Sequence, residues 1–136
     1  MKTLPLPPWA SRYALAVGLM DLGTGLALFL APAWTLARMG AVVPEAPALA
    51  YVRFCGTFVA AVGATYLFAL RRGGSTDLRA ALAGTLLPRL AAGSGAAVSV
   101  GAGWLDAAWA VVAVTDLGCA ALQAWLLRGR EVADVG

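Results

Sequence analysis

Four apolar segments, each close to twenty residues long, run from Tyr13 to Ala31, Tyr51 to Leu70, Leu78 to Gly101 and Leu105 to Leu127. Crossing a bilayer takes about 20 apolar residues in a helix, so each segment is long enough to span. Sheets are excluded on physical grounds. An open sheet leaves backbone groups unpaired in lipid, and four segments cannot close a barrel. Only 12% of the residues are charged and 61% are hydrophobic, where soluble domains carry about 25% charged residues. The expectation is an all-α polytopic membrane protein, an antiparallel four-helix transmembrane bundle forming a single domain over residues 1–136.

Punctuation between the segments supports this division. Pro5, Pro7 and Pro8 favour an extended lead-in, after which Ser11 is the expected N-cap of the first span. Pro32 stops that span, and a short interfacial helix is expected around Trp34 to Met39. Pro44 and Pro47 then break the chain. Arg71-Arg72-Gly73-Gly74 ends the second span, and Ser75 or Thr76 is expected to cap the third. The short turn Gly101-Ala102-Gly103-Trp104 makes spans three and four antiparallel neighbours. Lys2, the first apolar run and Ala31-Pro32-Ala33 mimic a signal peptide. The run is too long for a signal h-region and carries Asp21, so a retained helix is expected.

Basic residues fix the expected orientation. Lys2, Arg12, Arg71, Arg72, Arg79, Arg128 and Arg130 lie at one end, with only Arg38 in the loops of the other. Both termini and the middle loop are therefore expected in the cytoplasm. Trp9, Tyr13 and Trp125 form the inner aromatic belt; Trp34, Tyr51, Trp104 and Trp109 form the outer one. The net charge of +3 flanks the spans rather than gathering on one face, which argues against nucleic acid.

Three charged residues sit deep inside the spans. Asp21 is nine residues from Arg12, Arg89 ten from Arg79 and Asp116 twelve from Arg128. At ~1.5 Å per residue all three reach roughly 14–18 Å, near the middle of a ~30 Å core. An arginine at that depth costs at least about 2.5–3.5 kcal/mol unless it is held. The two aspartates are the groups available to hold it. The trio is formally −1, so one aspartate is expected to gain a proton or meet a cation. Polar residues share their helical faces: Thr24 with Asp21, Thr85 with Arg89, Gln123 with Asp116. Small residues surround them, either for close helix approach or to leave room for a ligand. A weak duplication is also legible, acid then base in the first half (Asp21, Arg53), base then acid in the second (Arg89, Asp116).

Other polar positions read more plainly. Arg53 and Asp106 match in depth near the outer end, which predicts a rim salt bridge, or else makes Arg53 a hook for an anionic headgroup. Thr57, one turn inward, fits both. Tyr66 is a candidate phenolic donor and is more simply an inner-belt aromatic. Pro88 is expected to kink span three beside Arg89 and free a carbonyl there. Gly56, Ala60 and Gly63 form a small-residue packing face. Cys55 and Cys119 differ in depth by ~15 Å, too far for a disulfide. With no histidine and few carboxylates, no metal site and no cofactor are expected.

Gly18-Leu-Met-Asp-Leu-Gly-Thr-Gly-Leu-Ala-Leu-Phe-Leu-Ala-Pro32 and Arg53-Phe-Cys-Gly-Thr-Phe-Val-Ala-Ala-Val-Gly-Ala-Thr-Tyr-Leu67 resemble the small four-helix DoxX-like bacterial membrane proteins. The resemblance covers the first half of the chain. It implies a four-helix bundle in the plasma (inner) membrane of a bacterium, and no single activity.

Two classes of function fit the trio, and a buried network that merely fixes helix register stands beside them. The first is an intramembrane acid/base enzyme, a cofactor-independent hydrolase, isomerase or cyclase, opening an epoxide or cyclising or isomerising a lipophilic substrate. The group resembles, in chemistry and not in sequence, the Asp–Arg–Asp group of limonene-type epoxide hydrolases. Asp21, Arg89 and Asp116 are its expected catalytic residues, and Arg53, Thr24, Thr57, Gln123 and Tyr66 its expected substrate-binding residues. The second is a proton-coupled transporter or amphiphile-binding module, for which a homodimer is expected, or an accessory subunit of a membrane complex.

Overall fold

The structure, a computed structural model, describes residues 5–128 and is helical throughout, with no strand among them. Its elements are α1 (Trp9–Leu30), α2 (Pro32–Met39), α3 (Ala46–Arg72), α4 (Ser75–Gly101), a 3₁₀ turn (Ala107–Trp109) and α5 (Ala110–Arg128). The expected short interfacial piece is α2. Its inner side buries Pro32, Thr35 and Leu36 while Arg38 lies over the exposed Trp34 ring at 5.8 Å.

Three helices start earlier than the sequence predicts, two of them beside prolines. Proline fits the first turn of a helix, where its missing N–H has no partner to lose. Pro8 has helical angles and precedes α1, so Ser11 sits inside the first turns and does not cap. Pro47 occupies the first turn of α3, which begins at Ala46 rather than Tyr51. Gly74 is the N-cap of α4, so Ser75 and Thr76 are already helical and cap nothing. The 3₁₀ turn does have a side-chain cap, Asp106, which accepts from Ala108 N at 3.0 Å.

Gly73, with φ of +74°, ends α3 in the left-handed region, which lets the chain reverse into α4 within two residues. The helices then pack as two intimate pairs, α1 with α3 and α4 with α5. In the first pair the backbones almost touch. A Cβ on Gly25 would fall 2.3 Å from Ala60 N, and one on Gly63 2.3 Å from Leu22 N. Gly18 and Gly56 complete this seven-residue spacing on both helices, so here the small residues serve close approach. In the second pair Leu117 fills the groove left by Gly93. The pairs meet one another less closely, chiefly through α3 and α4. Trp9 stacks on Trp125 at 6.1 Å, so the start of α1 and the end of α5 share one end of the bundle.

A buried charged group lies within an apolar core, and many large apolar side chains are exposed. Asp21, Thr85, Arg89 and Gln123 are buried, while Leu19, Leu30, Phe54, Phe58, Leu87 and Val114 are exposed. Exposed apolar side chains in this number are consistent with a surface that faces lipid. α1, α3 and residues Ala107–Arg128 are long and apolar enough to cross a membrane. The 27-residue α4 reaches about 40 Å, but Thr85, Pro88, Arg89, Ser94 and its glycines dilute its apolar character. Cys55 is exposed and Cys119 partly buried, and both are free thiols.

Candidate functional site

The site lies where the two helix pairs meet, and Arg89 organises it. α4 runs unbroken through Pro88 from Ser75 to Gly101. The carbonyl that Pro88 leaves without a helical donor belongs to Gly84, on the exposed side of α4. The expected free carbonyl at the site is therefore absent from the network. Arg89 itself is 2% exposed. Its three kinds of nitrogen each donate to a different helix: Nη1 to Asp116 Oδ1 on α5 at 2.6 Å, Nη2 to Asp21 Oδ2 on α1, and Nε to the Tyr66 hydroxyl on α3 at 3.0 Å. One planar guanidinium thus binds all three neighbouring helices. The depth match read from the basic ends is realised as two ion pairs.

Tyr66 is the residue whose weight the sequence concealed. It is wholly buried rather than part of an aromatic belt. Its oxygen accepts from Arg89 Nε–H and from the Gln123 side-chain amide. The Thr85 hydroxyl lies 2.8 Å from Tyr66 and 2.8 Å from the Ala81 carbonyl. A carbonyl only accepts, so Thr85 spends its one proton on Ala81 and receives the Tyr66 proton. Gln123 also donates to the Tyr13 hydroxyl at 3.2 Å, while its Oε1 has no hydrogen-bond partner among the described residues. The signal that could have placed Tyr66 is its position three residues after Gly63, which is itself seven after Gly56. Residues three and seven apart share a face, and this face meets Asp21 on α1.

The carboxylates and the guanidinium differ in access. The side chains of Asp21 and Asp116 keep 11% and 19% exposure, against 2% for Arg89. The cation is sealed and the two acids retain open edges. Such a group can hold one carboxyl protonated beside an ionised one, with a fixed positive charge between them.

No family model matches the chain, and neither does a curated protein or a solved structure. The site's own chemistry is what bears on function.

Other expected residues lie elsewhere. Thr24 is exposed on α1, turned away from the network. Thr57 is exposed and donates to the Phe54 carbonyl at 2.6 Å, so its hydroxyl is satisfied within α3. The rim salt bridge is not formed. Arg53 donates to the Phe29 and Leu30 carbonyls, capping the C-terminal end of α1 where a cation is favoured. Asp106 accepts instead from Val42 N at 2.8 Å and from the 3₁₀ turn it caps. Backbone groups left over at helix ends compete for these side chains, and matched depth alone does not reveal them. A cavity does exist at the end bearing the N-terminus, between Pro7, Pro8, Leu70, Gly73 and Leu78, and it does not touch the charged group. No set of three metal-ligating side chains gathers among the described residues.

Proposed function

We propose that the chain crosses the membrane four times, with α4 as the fourth span, and acts as an intramembrane acid/base enzyme on a lipophilic small molecule. The observation that carries this reading is the Arg89 bridge, with a sealed cation between two carboxylates that each keep an accessible edge. A hydrocarbon-soluble substrate reaches such edges from the bilayer, and an epoxide is the simplest group that needs both acids. One aspartic acid gives its proton to the epoxide oxygen as the C–O bond breaks. The other carboxylate takes a proton from the water that attacks carbon. Arg89 keeps its own protons throughout; it orients both carboxyls and offsets the charge left behind. The two acids have then exchanged roles, and one proton transfer resets them. Isomerisation or cyclisation uses the same two steps, with a carbon-bound hydrogen in place of water. The basic residues Arg12, Arg71, Arg72 and Arg128 put both ends of the chain in the cytoplasm on this reading.

The test is turnover of a terpene epoxide and of an epoxy fatty acid by the protein in lipid vesicles, read by mass spectrometry in ¹⁸O-labelled water. Asp21→Asn and Asp116→Asn are each expected to lower turnover by about 10²–10⁴-fold, the usual contribution of a positioned acid or base. Unchanged turnover in both variants overturns the assignment. Accumulation of unaltered epoxide inside the vesicles points to transport instead.

A further inference from the structure

The seam between the two helix pairs has two edges, and they differ. Along one, α3 packs on α4 and the chain joins them through Gly73 and Gly74. Along the other, α1 and α5 lack such packing and are not consecutive in the chain. They are held together near their ends. Towards the Trp9–Trp125 stack, Val17 belongs to one packed cluster with Cys119 and Leu122, and Gln123 donates to Tyr13. Towards the opposite end, Leu28 belongs to a second cluster with Ala108 and Trp109. No residue between Val17 and Leu28, or between Trp109 and Cys119, belongs to either cluster.

The two acids stand in that uncovered stretch. Asp21 lies on α1 and Asp116 on α5, each with an accessible edge, while the sealed Arg89 and Tyr66 lie on α4 and α3 at the closed edge. Two threonines mark the same place. Thr35, Thr57, Thr65 and Thr85 each donate to a carbonyl three or four residues back. Thr24 is exposed and Thr115 half-buried, and neither hydroxyl has a hydrogen-bond partner among the described residues. Thr24 is seven residues after Val17, and Thr115 seven before Leu122. Residues seven apart share a helical face. The two hydroxyls therefore continue the faces by which α1 and α5 enter the first cluster, at the level where the packing stops.

We infer that the α1–α5 edge between the two clusters is the doorway through which the substrate reaches Asp21 and Asp116 from the bilayer, and that Thr24 and Thr115 hold its oxygen-bearing group by hydrogen bonds. The inference rests on the acid/base reading above and adds to it where the guest sits and what kind of guest it is. An anion is repelled by the ionised carboxylate, and Arg89 is sealed away from it. A pure hydrocarbon leaves the hydroxyls and carboxyl edges unpaired. With one acid protonated the trio is neutral as a whole, so a neutral lipophile with a compact accepting oxygen is the match, and an epoxide meets that description.

The experiment is photolabelling of the full chain in phosphatidylcholine vesicles with a terpene epoxide that carries a diazirine, the adducts being located by mass spectrometry. Adducts are expected on α1 around Thr24 and on α5 around Thr115, and are expected to fall with an excess of unlabelled epoxide. In Thr24→Val and in Thr115→Val, which keep the side-chain shape, the probe concentration for half-labelling is expected to rise about three- to tenfold, the worth of one hydrogen bond. Thr65→Val, on α3, is expected to leave it unchanged. Adducts spread equally over the exposed faces, Leu87 and Val98 of α4 included, or indifferent to unlabelled epoxide, overturn the doorway. Undiminished labelling in both valine variants overturns the hydroxyl contacts. Turnover of the same epoxide is read in parallel. Labelling at the doorway without turnover removes the acid/base reading and leaves the binding site; turnover with adducts elsewhere does the reverse.

Discussion

Arg89 spends its donors on three helices, so its loss is felt differently from the loss of any one acceptor. Arg89→Ala leaves two carboxylates facing each other without a cation, and removing one side of a buried ionic group costs about 3–5 kcal/mol. Asp21→Asn keeps an oxygen in place and is expected to cost less. Unfolding in mixed detergent micelles ranks the two. Tyr66→Phe deletes the oxygen that receives Arg89 Nε–H and the Gln123 amide. It is expected to destabilise by about 1–3 kcal/mol, the cost of stranding buried donors. Its readout beyond stability is Arg89 itself, whose Nε–H NMR signal should shift while the pairs to Asp21 and Asp116 persist. At this scale the sequence was legible for what a single helix face carries. Thr85 and Gln123 follow from their spacing to Arg89 and Asp116. Tyr66 does not: its position three after Gly63 puts it on the packed face of α3, but its partners come from α4 and α5 and leave no mark within α3. Arg53 misled for a related reason, since its partners are carbonyls at the end of α1 and carry no side-chain signature.

Among the elements, the glycines of α1 and α3 set the closest approach in the molecule. Gly25→Ala and Gly63→Ala each drive a methyl into backbone atoms 2.3 Å away. Backbone cannot step aside as a side chain can, so at least the about 1–3 kcal/mol typical of overpacking is expected. Gly95→Ala and Gly118→Ala meet nothing within 4 Å and are expected to be neutral or slightly stabilising, since alanine is the better helix former. Thermal denaturation of the four variants separates the classes. Helix existence and order were legible in the sequence, with four segments marked by length and by Pro and Gly breaks. Helix starts were not. Pro8 and Pro47 look like terminators but sit at the N-cap of α1 and in the first turn of α3, where proline is accommodated. α4 also continues through Pro88, an interior position where proline removes one helical hydrogen bond without ending the helix.

For the whole molecule the governing fact is one charged and polar network enclosed in an otherwise apolar interior, beneath an exterior rich in exposed apolar side chains. Reporter fusions placed before Lys2, after Gly73 and after Arg128 are expected to read as cytoplasmic, and one in the Gly101–Trp104 turn as external; a cytoplasmic reading in that turn together with an external one after Arg128 overturns the crossing by α4. The contact of Trp9 with Trp125 brings the start of α1 and the end of α5 together at one end. What the sequence leaves open is how four helices divide. They form two welded pairs, with Asp21 and Tyr66 on one and Arg89 and Asp116 on the other. Neither pair can yield internally, because backbone meets backbone in the first and Leu117 plugs the second. On the proposed reading a substrate would enter as a wedge along the seam. In parting the pairs it would draw Asp21 away from the arginine and leave Asp116 attached, so that the bulk of the guest and the freedom of that one acid would be mechanically the same variable.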